Sequence, residues 1–171
     1  MPEGHLTETQ IGAVCENMVA NALVVGSNGR LSPFQPYADD GGVDMLVFDK
    51  DTRKFIACQI KGRRNTIKRF PNCVHFEVRK ATFDTHNYLL AVLLAWEKQD
   101  IECAWLIPML ELASSLRNSG KYVIRPSRSP TTEDRFSQYQ HQSMASLADG
   151  IVKIIDGPGE ESACPTIGEQ P

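Results

Sequence analysis

No apolar run in the 171 residues approaches the roughly 18 needed to cross a bilayer, and no basic stretch leading into an apolar one opens the chain. Membrane spanning and secretion are therefore not expected, and the cytoplasm is the expected compartment. Paired cysteines are also missing. Cys15, Cys58, Cys73, Cys103 and Cys164 are odd in number, widely spaced and free of any Cys-x-x-Cys, which excludes a disulfide framework or a zinc knuckle and leaves most of them as small buried hydrophobes. A formal charge of -3 gives no global footprint for nucleic acid, so any such contact must rest on a local patch. Nucleophilic hydrolase chemistry finds no Gly-x-Ser-x-Gly elbow, and His5, His75, His86 and His141 have no evident serine or cysteine partner. Neither a Walker pattern nor a dinucleotide glycine pattern occurs, and no internal repeat is visible.

What is present supports one domain with a real core, because 42% of the residues are hydrophobic. The expected domain runs over 1–156. Residues 157–171 are rich in Pro, Gly and Glu with little to bury, and are expected to be a disordered tail. Thr7-Glu8-Thr9-Gln10 is a capping box before apolar positions at Ile11, Val14, Cys15, Met18, Ala22 and Val25, which predicts an amphipathic helix ending near Gly26. Glu16 lies beside that stripe, on the edge shared with Val19 and Leu23. Arg30 to Tyr37 carries Pro33 and Pro36 and reads as an edge strand; Asp39 and Asp40 then read as turn formers.

Met45–Phe48 and Phe55–Ile60 are short apolar runs separated by the polar turn at 50–53, the pattern of a β-hairpin. Val74–Arg79 alternates as a strand, with His75 and Glu77 on its surface. Tyr88–Trp96 and Ile101–Pro108 are apolar runs around Glu97-Lys98-Gln99-Asp100 and read as a buried hairpin, with a helix over 88–96 as the alternative. A short helix over Met109–Leu116 and a strand over Tyr122–Arg125 follow. After a linker at 127–132, a helix beginning at Glu133 is predicted, with Phe136, Gln140, Ser143, Leu147, Ile151 and Ile154 as its stripe and Gly150 weakening its second half. Trp96 and Trp105 are assigned to the core.

The chemistry concentrates in the first hairpin. Asp44 opens its first strand after Gly41-Gly42, a pair free to make a close backbone approach. Strand pairing brings Asp44 near Gln59, and alternation puts Gln59 and Lys61 on one face. A carboxylate, an amide oxygen and an ammonium together suit a hard divalent cation such as magnesium or manganese, with Lys61 polarising the attacking water.

These residues resemble the PD-(D/E)XK nuclease superfamily, and most closely its Mrr-like restriction endonuclease branch. Gly41-Gly42-Val43-Asp44 and Gln59-Ile60-Lys61 match the two halves of its motif, which together span about a seventh of the chain. The family's Pro before Asp is missing, and Gln59 replaces the usual acid, leaving one fewer negative charge on the metal. The resemblance implies an α/β, restriction-endonuclease-like fold with a central mixed β-sheet flanked by helices. It also implies a helix between the third and fourth strands, and catalysis by Asp44, Gln59 and Lys61. In this family the first helix often supplies a further metal ligand, and Glu16 is the matching residue.

From Arg53 through Phe76 there are seven Lys or Arg residues and no acid. The part leaving Lys61, with Arg63, Arg64, Lys68 and Arg69, is the expected nucleic-acid contact, and Phe70 is expected to fold back on the core. The leading expectation is a magnesium-dependent endonuclease acting on DNA, as a homodimer if both strands are cut. A catalytically inactive nucleic-acid-binding protein of the same fold is the second reading, and a small α/β interaction protein the third.

Overall fold

The computed structural model describes residues 6–37 and 41–157; the Asp39-Asp40 turn and the tail beyond Gly157 lie outside the described residues. Helix α1, Glu8–Gly26, starts at the Thr7 capping box as expected, with Gln10 bonded reciprocally to Thr7. Its packed stripe is Ile11, Cys15, Val19, Ala22 and Leu23. Val14 and Val25 are exposed instead, so the helix is rotated toward the edge that carries Glu16. Four strands follow: β1 Leu31–Phe34, β2 Met45–Asp49, β3 Phe55–Arg63 and β4 Phe76–Arg79. After a 3-10 turn at Lys80–Thr82 come β5 Tyr88–Ala95 and β6 Asp100–Pro108, then a 3-10 segment at Met109–Ser115 and β7 Lys121–Ile124. The described residues end with β8 Gln140–His141 and α2 Met144–Asp156.

A six-stranded mixed sheet is ordered β1-β2-β3-β5-β6-β8, with β3 and β5 parallel and the other pairs antiparallel. Both α-helices pack on one face, where Cys15, Val19 and Leu23 of α1 and Leu147, Ile151 and Ile155 of α2 meet Cys58, Ile60, Leu90 and Val92. On the other face β4 and β7 form a two-stranded ribbon whose Phe76, Val78, Tyr122 and Ile124 cover Leu89, Ala91, Leu93 and Trp105. Burial on both faces is why 88–95 is apolar all round and yet a strand.

Several expectations need correction. The crossover from β3 to β5 contains a loop, β4 and a 3-10 turn where the family resemblance implied an α-helix. The last helix begins at Ser143, not near Glu133. The Ser143–Ser146 capping box starts it there, while Asp134 accepts the Ser127 and Phe136 amides to make a tight turn and Gln140 is drawn into the sheet edge. Gly150, a weak residue for helix propensity, is needed because a Cβ there would collide with the His141 ring. Phe70 does not fold onto the core; it is 51% exposed beside Arg69. Of the two tryptophans only Trp105 is fully buried.

Candidate active site

Hairpin register builds the site. Met45 pairs with Cys58, so Asp44, one residue earlier, donates its amide to the Cys58 carbonyl at 3.0 Å. Its Oδ2 accepts the Ile60 amide at 2.6 Å. The carboxylate is thereby clamped to the backbone of the strand that carries Gln59 and Lys61. Lys61 Nζ stands 3.7 Å from the same oxygen. Gly41 and Gly42 enter this corner at φ of +87° and +73°. At Gly42 a Cβ would collide with the Thr82 side chain and lie 3.0 Å from Gln59 Nε2, so both backbone conformation and space require glycine.

Gln59 is buried, and its Nε2 donates to Thr82 Oγ1 at 3.1 Å. Thr82 in turn gives its hydroxyl proton to the Arg79 carbonyl at 3.2 Å. With that proton committed, Thr82 can only accept from Gln59, and a flipped amide would set two acceptors against each other. The amide orientation is fixed by this relay. Among the described residues Gln59 Oε1 is left buried with no partner, a condition that costs roughly 1–3 kcal/mol for a polar atom unless something external satisfies it.

The first helix reaches the same place through a close approach. A Cβ on Gly62 would lie 2.6 Å from Cys15 Sγ, so the bare glycine lets α1 lie directly on β3 one residue beyond Lys61. Cys15 reports what surrounds it. Burial first, then the charges of Glu16 and Asp44, push its thiol up to about 12, while Lys61 opposes the shift. Burial and Asp44 raise Cys58 likewise to about 12. The Cys15 thiol thus feels the charges of Glu16, Asp44 and Lys61 together, and Gln35 Nε2 donates to Glu16 Oε2 at 3.3 Å.

Among the described residues no group of three His, Cys, Asp or Glu side chains could hold a metal ion. The donor set that does suit a hard cation is made of oxygens alone: the Asp44 carboxylate and the unpartnered Gln59 amide oxygen, with Glu16 on the neighbouring helix. A buried amide oxygen without a partner among the described residues, and a carboxylate clamped to the same strand's backbone at Ile60, fit such an ion.

The basic segment is less open than its sequence suggests. Arg63 turns inward, donating from Nε to the His75 carbonyl at 3.1 Å. Arg64 lies 5.1 Å from the Trp96 ring centroid and Arg69 5.9 Å from that of Phe70. Lys68 is exposed. Hydrogen bonds from Arg128 to the Asn72 carbonyl and from Val74 to the Pro126 carbonyl tether the loop to the stretch after β7. His75 and Glu77 pair with each other at 3.0 Å on the surface of β4, as the alternation implied. Thr82 and Cys15 had no place in the sequence reading of the site. Thr82 stands 23 residues beyond its partner, and no local pattern links a lone threonine to a distant amide.

No family model matches the sequence, and no curated protein matches it. Among solved structures the chain is similar to a bacterial homing endonuclease, I-Ssp6803I, with a TM-score of 0.58 and 14% sequence identity over 80% of this chain and 88% of that one. What the two share at that identity is architecture.

Proposed function

We propose that this protein is a divalent-metal-dependent endonuclease that hydrolyses DNA phosphodiester bonds, of the PD-(D/E)XK type with Gln59 in the place of the usual acid. The observation that carries the reading is the buried Gln59 oxygen, left without a partner and held in orientation by Thr82, on the strand whose Lys61 meets Asp44. The architecture shared with a bacterial homing endonuclease supports it, as does the matching order of Gly41-Gly42-Val43-Asp44 and Gln59-Ile60-Lys61 on paired strands.

Asp44 and Gln59, with Glu16 from α1, would hold magnesium or manganese. Such an ion supplies charge neutralisation at the phosphate and makes water a better nucleophile at neutral pH. Asp44 keeps its geometry through the Ile60 amide, and Lys61 orients the attacking water and offsets the charge that builds on the phosphate. The exposed Lys68, with Arg64 and Arg69, offers cations to the flanking backbone. Cleavage of both strands calls for two copies acting together.

Plasmid DNA incubated with the purified protein should be cut in magnesium or manganese and left intact in EDTA. Asp44→Asn should abolish cutting and weaken metal binding, whereas Lys61→Ala should keep metal binding and slow cleavage about a hundredfold or more, the scale of a lost general acid or base. Absence of cutting with either metal, together with calorimetry showing no metal binding sensitive to Asp44→Asn, overturns the enzyme reading. Gln59 in the place of the usual acid, which leaves one fewer negative charge on the ion, favours as the second reading a DNA-binding protein of this fold without catalysis.

A further inference from the structure

Three arginines far apart from the Asp44 corner in sequence line one pocket. Arg117, Arg125 and Arg135, with Ser114, Ser115 and Asp134, surround a cavity of about 300 Å³ beside the β4–β7 ribbon. Among the described residues none of the three guanidinium groups forms an ion pair. The one carboxylate in the lining is already occupied, since Asp134 accepts the Ser127 amide at 2.6 Å and the Phe136 amide at 2.7 Å. Three guanidinium groups against the single Asp134 carboxylate leave the cavity with an excess of positive charge, which attracts an outside anion.

The donors are prearranged. Arg135 is held by hydrogen bonds to the Glu111 carbonyl at 2.8 Å, Ser115 Oγ at 2.9 Å and Ser114 Oγ at 3.1 Å. Each serine oxygen that accepts from the guanidinium keeps its own proton to donate. Arg125 spends only its Nε, on His75 Nδ1 at 3.4 Å, which leaves its terminal fork for a ligand. The terminal forks of Arg117 and Arg125, with the two hydroxyls that Arg135 holds in place, match a tetrahedral oxyanion, which arginine binds in bidentate fashion.

The ribbon connects this pocket to the Asp44 corner. Thr82, which holds Gln59, follows β4, and the Arg79–Lys121 end of the ribbon lies next to it. The pocket lies along β7, from Arg117, whose amide donates to the Lys121 carbonyl, to Arg125 just beyond Ile124. Arg125, at the far end of the pocket, is four residues of extended chain from Lys121, about 13 Å, on the order of four base steps along a duplex.

We propose that the Arg117–Arg125–Arg135 pocket binds a backbone phosphate of the DNA duplex some base steps from the bond that is cut, anchoring the substrate across the β4–β7 ribbon. This rests on the nuclease reading above. The same chemistry would accept free phosphate, so the experiment has two arms. Arg117→Ser/Arg125→Ser alters two exposed residues and spares Arg135, whose hydrogen bonds hold the 3-10 segment. In EDTA, fluorescence anisotropy of a labelled duplex across a salt series should show the slope of log affinity against log salt reduced by about 0.9, the change for one duplex phosphate left without its cations. The Arg117→Lys/Arg125→Lys variant should keep the wild-type slope.

A wild-type slope in the serine variant overturns the proposal. So does a thermal midpoint that rises with inorganic phosphate in the wild type alone while the duplex slope is unchanged, because that marks a free-phosphate site. Arginine-dependent duplex binding in a protein that never cuts would sustain the anchor and overturn only the nuclease reading. A wild type that binds no duplex overturns both.

Discussion

Gln59 shows how one side chain can carry a site only when a second one orients it. Its amide would be ambiguous without Thr82, whose hydroxyl proton is already committed to the Arg79 carbonyl. Replacing Thr82 with valine removes the acceptor while keeping the shape, and the amide can then rotate. Calorimetry with manganese should show affinity for the ion falling about 10- to 100-fold, the usual scale for losing a group that orients a ligand. Thr82→Ser should restore it. An unchanged affinity in Thr82→Val would mean that Gln59 has no part in holding the ion, and Asp44 would then stand alone with Glu16.

At the scale of elements, the site depends on how closely α1 approaches β3. Gly12 and Gly62 separate propensity from packing. Nothing lies within 4 Å of a Cβ built on Gly12 in the first turns of α1, so Gly12→Ala should stabilise the protein by about 0.5–1 kcal/mol through helix propensity alone. A Cβ on Gly62 meets the Cys15 side chain at 2.6 Å. Gly62→Ala should therefore cost about 1–3 kcal/mol, as overpacking does, and should lift α1 and Glu16 away from Lys61. Urea denaturation measures both changes. Equal effects of the two substitutions would show that the helix is not seated on the strand at Gly62.

For the whole molecule, Arg30 joins parts that are distant in the chain. Its guanidinium pairs with Asp49 at the end of β2 at 2.6 Å, with Asp51 in the hairpin turn at 3.2 Å and with Asp156 at the end of α2 at 2.9 Å. The Arg30 hydrogen bonds hold Asp49, whose side chain is fully buried, down to about 2 from an ordinary 3.8, against the opposing effect of its burial. A depressed carboxyl binds protons more readily in the unfolded chain, so its contribution is complete above about 3.8 and lost as pH falls through about 2. Chemical denaturation over that window should show stability declining with acid. Asp49→Asn, which leaves Arg30 with Asp51 and Asp156 alone, should flatten the decline and cost about 1–3 kcal/mol at neutral pH. A decline of the same steepness in Asp49→Asn would assign the acid sensitivity to other carboxylates, Glu77 being one that Lys121 and His75 also hold down to about 2.

What the sequence determined by itself was local. The capping box at Thr7, the hairpin at 45–60 and the buried strands at 88–108 follow from period, turn chemistry and caps, which act over a few residues. The juxtaposition of Asp44 with the Gln59–Lys61 strand was legible for the same reason, because one tight turn fixes the register between them. The helix expected from Glu133 failed where local rules compete: Asp134 and Gln140 found partners outside any helix, and the Ser143 cap set the true start. Only the tertiary structure decided that Thr82 orients Gln59, that Gly62 seats α1, and that Arg117, Arg125 and Arg135 share one pocket. Each depends on residues brought together by the packing of separate elements, and no periodicity within a segment encodes which distant side chain will arrive beside it.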